Sequence, residues 1–332
     1  MTTTMNVLHG RIGGEFSLGE AEVPTPAHGQ VRVRIRAAAF NYVDQMMLAG
    51  VYDNVPGGPE GPAPYVAGVE FTGEVDAIGP AVQGRAVGDR VVGMAPGAFA
   101  EYIVIDAGNL AALPDAVGWT DAAALQIALC ISHDALVTRG GMQEGASVLV
   151  NGGTTGIGSL AIQVAKSFGA GTVLATTRKA GKKDALRGLG ADHVIATDEE
   201  DLTQAVLNAT GGQGADLVLD ALGGSAFSAA IPATRVGGKI LCLGTVAGAE
   251  PSLNLATVAV RLITIIGSAF DSRPVDDRMA ITSSVAALFP YVLDGRIRPV
   301  IDSIHSFPGQ ATEAIARLSA HDAVGKIVFE MP

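Results

Sequence analysis

A glycine-rich turn between a strand-like and a helix-like segment is the part of the sequence best suited to bind a ligand. Residues 148–150 are an apolar run with two β-branched valines, typical of a buried parallel strand. Apolar residues recur with helical spacing from Ile157 to Ala165. Such a turn brings the backbone close to a phosphate, and the helix N-terminus offers unpaired N–H groups. The predicted phosphate contacts are Gly153, Thr154, Thr155, Gly156, Ile157 and Gly158.

Three later segments have the composition of further strands, and helical stretches separate them. They are residues 171–177, 214–220 and 238–244. This alternation is typical of a doubly wound parallel sheet, so we interpret the region as a dinucleotide-binding domain. Gly244 ends the last of these strands and Thr245 follows it, and we expect both at the same cofactor. The alternative is a chance glycine turn in another kind of α/β domain.

The composition of the whole chain limits the kind of protein it can be. A length of 332 residues suits about two domains. The net charge of −11 argues against a nucleic-acid partner, which requires a basic surface. We see no signal peptide and no apolar run long enough for a membrane span. Cys130 and Cys242 lie in apolar contexts typical of buried free thiols, which favours a reducing, cytoplasmic location.

The segments on either side of the glycine turn predict a second, β-rich region. Up to about residue 110, short strands alternate with glycine- and proline-rich turns, as in a small barrel-like domain. After about residue 272 we expect a helix over 280–295, broken or kinked at Pro290. A helix over 311–319 and a closing strand over 325–330 follow. We expect this tail to pack back on the β-rich region.

Several short segments together carry a family resemblance. They are residues 38–44, 68–75, 87–91, 152–158, 189–195 and 325–328. With them the chain resembles the medium-chain dehydrogenase/reductase superfamily, in its zinc-independent quinone oxidoreductase or enoyl reductase-like branch. The resemblance implies an α/β fold with a GroES-like β-barrel domain (1–119 and 273–332) and a doubly wound Rossmann domain (120–272). It also implies a cleft between these two domains.

The zinc-dependent branch of the same family has a Gly-His-Glu segment where this chain has Gly68-Val69-Glu70. A valine side chain cannot bind a metal ion. Two cysteines cannot form a four-cysteine zinc lobe, and Cys130 lies away from the family's ligand position, which aligns with Ile127. The sequence therefore predicts no bound metal.

The resemblance also indicates which cofactor is used. NAD enzymes keep an acidic residue at the end of the second Rossmann strand for the ribose 2′-hydroxyl. The corresponding position here is Thr177, with Arg178 next to it and Lys182 shortly after. A neutral hydroxyl beside cations suits a 2′-phosphate, so NADPH is the predicted cofactor. The alternative is that Arg178 and Lys182 are merely solvated.

Without zinc, the expected chemistry is hydride transfer to an acceptor that is already electron-poor. The predicted acceptor is a quinone or an α,β-unsaturated carbonyl. In the family, the residue at Asn41 lies beside the nicotinamide, and that at Tyr52 lines the substrate pocket. We expect both at the acceptor, although Asn41 also suits a turn and Tyr52 an apolar wall. Two alternatives stay open: an NADPH-binding protein with little turnover, and, less favoured, an alcohol dehydrogenase.

The segment Leu262–Ser268 is strongly apolar and reads as the last strand of the Rossmann sheet. An exposed apolar edge strand can pair with another chain, and the family joins two sheets through this strand. The sequence therefore predicts a homodimer.

Overall fold

The computed structural model describes residues 3–51, 63–270, 273–320 and 322–332. The chain divides into two compact units. Unit 1 takes in residues 1–127, 271–293 and 299–332, and unit 2 takes in residues 128–270 and 294–298.

The N-terminal part of the chain is mainly β-structure. Its strands are β1 (Thr4–Gly10), β2 (Ser17–Glu22), β3 (Gln30–Ala39), β4 (Tyr65–Val66), β5 (Glu70–Ile78), β6 (Arg90–Met94), β7 (Tyr102–Asp106) and β8 (Leu110–Ala112). Its helices are α1 (Tyr42–Leu48) and α2 (Trp119–His133), and α2 continues as a π-helical stretch, Asp134–Arg139. In β3, buried Val31, Val33 and Ile35 alternate with half-buried arginines, which is the period of a strand with one face on the core.

Strands and helices alternate through the middle of the chain. The strands are β9 (Ser147–Asn151), β10 (Thr172–Thr177), β11 (His193–Ala196), β12 (Ala215–Asp220), β13 (Thr234–Cys242) and β14 (Thr264–Gly267). The helices are α3 (Gly156–Ser167), α4 (Lys183–Arg187), α5 (Leu202–Ala209), α6 (Gly224–Ala233) and α7 (Leu255–Val260). The predicted strand Leu262–Ser268 is thus shorter at both ends, and Leu262 precedes it with a φ of 54°.

The sheet of unit 2 is parallel throughout, in the order β11-β10-β9-β12-β13-β14. The order reverses between β9 and β12, and in such sheets ligands bind at the carboxyl ends of the strands at this point. Residues 148–150 are fully buried, as expected for a parallel strand covered on both faces. The predicted α/β fold with a doubly wound parallel sheet is confirmed.

The C-terminal part adds α8 (Val275–Leu293), β15 (Ile301–Ser306), α9 (Ala311–Ser319) and β16 (Lys326–Glu330). Strand β16 pairs with β3 antiparallel, which confirms that the tail packs on the β-rich region. The helix is not broken at Pro290, because α8 runs through that residue, and it starts five residues earlier than predicted. Its buried side chains, Val285, Leu288 and Phe289, hold it in place although a proline removes one backbone hydrogen bond. A kink at Pro290 stays a prediction.

The strands of unit 1 form two sheets around an aromatic core. One sheet has the order β2-β1-β4, and the other has the order β15-β16-β3-β5-β6-β8, with β7 also paired to β3. The ring of Phe329 lies 5.0 Å from that of Phe40, and 5.3 Å from those of Phe99 and Phe307. Among the helices described, none is long and apolar enough to cross a membrane.

Candidate functional site

The turn that joins β9 to α3 is shaped by close backbone contact. Gly152 has a φ of 92°, a conformation that favours glycine. A Cβ atom on Gly158 would lie 2.1 Å from the carbonyl oxygen of Gly152, so only glycine lets the first turn of α3 approach the turn this closely. At Gly153, a Cβ would lie 2.9 Å from Leu186. The glycine spacing seen in the sequence is therefore a packing requirement.

The start of α3 leaves two backbone N–H groups available. Thr155 caps the helix: its hydroxyl accepts a hydrogen bond from the Gly158 amide at 2.9 Å. The amides of Gly156 and Ile157 have no hydrogen-bond acceptor within the described parts of the chain. Unpaired N–H groups at a helix N-terminus, together with the positive end of the dipole, suit an anion such as a phosphate. The turn therefore fits the pyrophosphate of a dinucleotide.

The end of β10 holds the residues predicted to read the ribose. Thr177 is the last residue of this strand and is buried, whereas Arg178 is exposed and Lys182 is half-buried. Lys183, which follows, is bound to Glu200 at 2.6 Å. The arrangement places a neutral hydroxyl at the strand end and basic residues directly after it.

The loop after β13 packs on the loop after β12. A Cβ on Gly244 would lie 2.6 Å from the carbonyl oxygen of Ala221, and Gly223 and Gly248 form a parallel bridge. The carbonyl of Thr245 accepts the amide of Gly248 at 2.9 Å. The predicted cofactor residues Gly244 and Thr245 thus belong to a loop at the carboxyl end of the same sheet as the glycine turn.

Three buried polar residues beneath the glycine turn were not singled out from the sequence. They are Asn151, Thr176 and Asp220, which end or nearly end β9, β10 and β12. The available signal was the presence of polar side chains at the carboxyl ends of strands that are otherwise apolar. Their significance depends on which strands are neighbours, which is a property of the fold.

In unit 1, Asn41 precedes α1, and both the nitrogen and the oxygen of its side-chain amide form hydrogen bonds. Its Nδ2 donates to Glu70 Oε1 at 2.8 Å and to the Ala39 carbonyl at 3.2 Å, and its Oδ1 accepts a hydrogen bond from Lys326 Nζ. Its backbone amide donates to Asp44 Oδ2 at 2.7 Å. These contacts fix Asn41 within unit 1, and the predicted role at the acceptor stays a prediction.

Glu70 and Lys326 form a buried ion pair next to Asn41. Lys326 Nζ lies 2.6 Å from Glu70 Oε1, and the other carboxylate oxygen accepts the Ile127 amide at 2.9 Å. Both side chains are almost completely buried. Breaking such a pair by removing one partner is typically costly, because a buried charge is left uncompensated.

A zinc site does not fit these residues. Each oxygen of Glu70 is bound within unit 1, and the neighbouring Val69 has no donor atom. Within the described ranges, no group of three or more His, Cys, Asp or Glu side chains is arranged to hold a metal ion. The absence of a metal from the working protein stays a prediction.

The predicted site residues thus fall into two sets. The cofactor residues lie in unit 2, at the carboxyl ends of β9, β10 and β13, and Asn41 lies in unit 1. Tyr52 lies outside the described residues, so its predicted role stays a sequence-based prediction.

Two family models match the chain. Residues 27–115 match the alcohol dehydrogenase GroES-like domain, and residues 156–284 match the family described as zinc-binding dehydrogenase. A solved NAD-dependent alcohol dehydrogenase is similar with a TM-score of 0.87 and 31% identity, covering 99% of this chain and 100% of that one. A quinone oxidoreductase of Pseudomonas syringae pv. Tomato DC3000 has a TM-score of 0.86 and 26% identity, covering 98% of this chain and 99% of that one.

Polyketide synthases are also among the relatives. Polyketide synthase GfsB of Streptomyces halstedii is 31% identical over 306 residues, which is 92% of this chain and 5% of the synthase. The chain spans 5% to 15% of the length of the first curated relatives it matches. It is therefore similar to one segment of these much longer proteins.

The buried carboxyl group of Asp44 generates a pH prediction. Burial raises the pKa of Asp44 to about 7, against the weaker opposing effects of the Asn41 amide and the Lys326 charge. An unfolded chain releases this proton near pH 4, so the folded state alone holds it between about pH 4 and 7. The free energy of unfolding should therefore fall as the pH rises through this window, by up to about 1.4 kcal/mol per pH unit.

Asp44→Asn should remove the contribution of Asp44 to this pH dependence, when the free energy of unfolding is measured in urea at pH 5, 6 and 7. Asp302→Asn, in the same unit, is the control. The hydrogen bonds from Arg317 lower the pKa of Asp302, so that carboxyl group is charged in both states over this range. The same slope in Asp44→Asn and in the unsubstituted protein would contradict the assignment.

Proposed function

Because the chain belongs to the medium-chain dehydrogenase/reductase superfamily, we propose that it is an NADPH-dependent reductase acting on a quinone or an α,β-unsaturated carbonyl. That it is an oxidoreductase of this superfamily follows from the comparisons. The NADPH preference, the acceptor and the independence from zinc are the proposal. The observation that carries it is a complete dinucleotide turn in a chain whose Glu70 region lacks a zinc donor set.

The glycine turn supports binding of a nicotinamide dinucleotide. Gly158 permits the close approach of α3, and within the described residues the amides of Gly156 and Ile157 have no acceptor, so that they could bind a pyrophosphate at the start of this helix. When bound, the cofactor supplies the hydride. The protein contributes binding and orientation, and a donor for the negative charge that develops on the acceptor oxygen.

The end of β10 supports NADPH over NADH. A carboxylate at position 177 would bind the ribose 2′-hydroxyl of NADH and repel the 2′-phosphate of NADPH, and Thr177 does neither. Arg178 and Lys182 add positive charge, of which arginine is particularly suited to phosphate. One similar solved structure is an NAD-dependent alcohol dehydrogenase, so the preference of this protein between NADPH and NADH has to be measured.

We expect the protein to bind NADPH at least tenfold more tightly than NADH in a fluorescence titration. Thr177→Asp should reverse this preference, because the new carboxylate meets the 2′-phosphate. Thr172→Asp, which places the same charge at the amino end of β10, should leave the preference unchanged. Equal or tighter NADH binding by the unsubstituted protein would refute the NADPH assignment.

The acceptor is proposed from the chemistry of unit 1. An alcohol must lose a proton before it can lose a hydride, and a zinc ion normally assists that step. Both carboxylate oxygens of Glu70 are already hydrogen-bonded, and the side chain of the neighbouring Val69 has no donor atom, so these residues do not provide a zinc site. A conjugated carbonyl or quinone needs no such help, since conjugation spreads the developing charge onto an oxygen. We propose Tyr52 and Asn41 as the residues nearest that oxygen.

NADPH oxidation should be seen with members of a quinone and enone panel, and not with simple ketones. Tyr52→Phe should lower the turnover on the order of 10²-fold if the phenol donates to the developing oxyanion, while the affinity for NADPH is preserved. Tyr102→Phe in unit 1 is the matched control, since that ring packs under Arg32 at 5.3 Å.

Three outcomes would redirect the proposal. An unchanged rate in Tyr52→Phe would make Tyr52 a pocket wall. Tight NADPH binding without oxidation across the panel would favour a binding protein with little turnover. Oxidation of simple alcohols without any quinone or enone activity would favour an alcohol dehydrogenase.

We also propose that two copies pair through the edge of the unit 2 sheet. Strand β14 is the last in the sheet order, and Ile265 in it is 39% exposed. Leu255, Val260 and Leu262 nearby are 70%, 80% and 68% exposed. An apolar edge of this kind is a surface on which another strand can pair.

Light scattering should give twice the mass of one chain across a concentration series. Ile265→Lys should shift the protein toward the mass of one chain, because it places a charge on the apolar edge. Val87→Lys, at an exposed apolar position of unit 1, should not. A single-chain mass for the unsubstituted protein at all concentrations would exclude this dimer.

A further inference from the structure

A continuous chain of buried hydrogen bonds lies directly under the glycine turn. The Gly152 amide donates to Thr176 Oγ1 at 2.8 Å, and the same hydroxyl donates to Asn151 Oδ1 at 2.8 Å. Asn151 Nδ2 then donates to Asp220 Oδ1 at 2.7 Å. The other oxygen of Asp220 accepts the Gly223 amide at 2.8 Å. Each donor group in this series of hydrogen bonds therefore has an acceptor.

These hydrogen bonds connect three neighbouring strands at their carboxyl ends. Thr176, Asn151 and Asp220 belong to β10, β9 and β12, which are adjacent in the sheet, and Asn151 and Asp220 are direct partners in the register. Their exposed fractions are 1%, 0% and 1%. Burying three polar side chains costs free energy unless all of them are paired, and apolar residues would fill the space without that cost.

The series of hydrogen bonds begins and ends at a glycine amide in a loop. One end is Gly152, the first residue of the glycine turn, and the other is Gly223, directly before α6. Burial raises the pKa of Asp220, and its bonds from Gly223 and Asn151 offset part of that effect. A side chain that is costly to bury thus links two loops at the carboxyl edge of the sheet in one arrangement.

Thr176 decides which amides of the turn stay available. Its hydroxyl accepts a hydrogen bond from the Gly152 amide, and its carbonyl oxygen accepts one from the Gly153 amide at 2.9 Å. These two N–H groups therefore point into the sheet. The amides of Gly156 and Ile157, one turn further on, have no acceptor within the described residues. The turn is divided into an anchored half and a half that can receive an anion.

We propose that Thr176, Asn151 and Asp220 are positioning residues for the cofactor, which hold the glycine turn ready for the pyrophosphate before it binds. This inference rests on the proposed function, since it concerns the same nicotinamide dinucleotide. All three are buried beneath the turn, and we expect them to act through the amides of Gly152, Gly153 and Gly223 rather than by touching the cofactor. A turn that is ordered in advance binds more tightly, because no free energy is spent on ordering it during binding.

The decisive variant is Thr176→Val, which keeps the shape of the side chain and removes the hydroxyl. It leaves the Gly152 amide and Asn151 Oδ1 without their shared partner. We expect the dissociation constant for NADPH to rise about tenfold or more in titrations of the full chain. Thr176→Ser restores the hydroxyl and should restore most of the affinity.

Thr234→Val is the control for a purely structural loss. Thr234 is also fully buried in unit 2, and its hydroxyl donates to the Ala230 carbonyl at 2.8 Å, away from the glycine turn. Both variants should lose some free energy of unfolding in urea, and only Thr176→Val should lose NADPH affinity. Equal NADPH affinity in Thr176→Val and the unsubstituted protein would overturn the inference.

Hydrogen exchange tests the same inference without any substitution. In the absence of cofactor, the amides of Gly152 and Gly153 should exchange slowly, and those of Gly156 and Ile157 should exchange fast. Added NADPH should protect Gly156 and Ile157 and change the first pair little. Fast exchange of Gly152 and Gly153 before NADPH is added would contradict a turn held in advance, even if Thr176→Val failed to fold.

The two proposals fail in different ways. If the unsubstituted protein binds neither NADPH nor NADH, the proposed function fails, and this inference fails with it. If the unsubstituted protein binds NADPH and Thr176→Val binds it equally well, only the positioning role is lost.

Discussion

The approach of helix α3 to the turn that leaves β9 is the constraint on which the rest of unit 2 depends. A Cβ on Gly158 would lie 2.1 Å from the Gly152 carbonyl, so the contact excludes every other residue type. This contact brings the helix N-terminus to the carboxyl edge of the sheet, where the Gly156 and Ile157 amides can meet an anion. The neighbouring strands then supply what surrounds this point: Thr177 from β10, and the loop with Gly244 after β13.

Unit 1 is organised around a different constraint, which is the burial of charge. Glu70 and Lys326 are 256 positions apart in the sequence and lie on β5 and β16, yet they meet in the core at 2.6 Å. Asn41 and the Ile127 amide complete the pairing of the carboxylate. A low-dielectric interior makes such a network costly to break, so it fixes the start of α1 and the middle of α2 on the strands. The same network occupies both carboxylate oxygens of Glu70.

Patterns within one segment could be predicted from the sequence, because a local rule produces each of them. The glycine turn, the apolar parallel strands and the alternating strand β3 follow from backbone sterics and from burial on one or two faces. Helix α9 begins and ends at the predicted residues. A local rule alone would allow a break at Pro290, and the helix continues there because packing of the neighbouring Phe289 and Leu288 outweighs the loss of one hydrogen bond.

Interactions between distant segments could not be predicted in this way. The sequence offers Thr176, Asn151 and Asp220 only as polar residues in apolar strands, and the hydrogen-bond chain exists because β10, β9 and β12 are neighbours. Likewise, nothing near Asn41 in the sequence indicates that its amide is held by Glu70 and Lys326. The sequence therefore indicates the local shape of the glycine turn more clearly than the contacts that hold the residues of either unit in place.

A crystal structure of the protein with NADPH tests the central claim most directly. The account predicts pyrophosphate oxygens within hydrogen-bond distance of the Gly156 and Ile157 amides, with the Gly152 amide still on the Thr176 hydroxyl. The 2′-phosphate should lie beside Thr177 and Arg178. A pyrophosphate bound away from the start of α3, or a turn that releases Thr176 to receive it, would contradict the account.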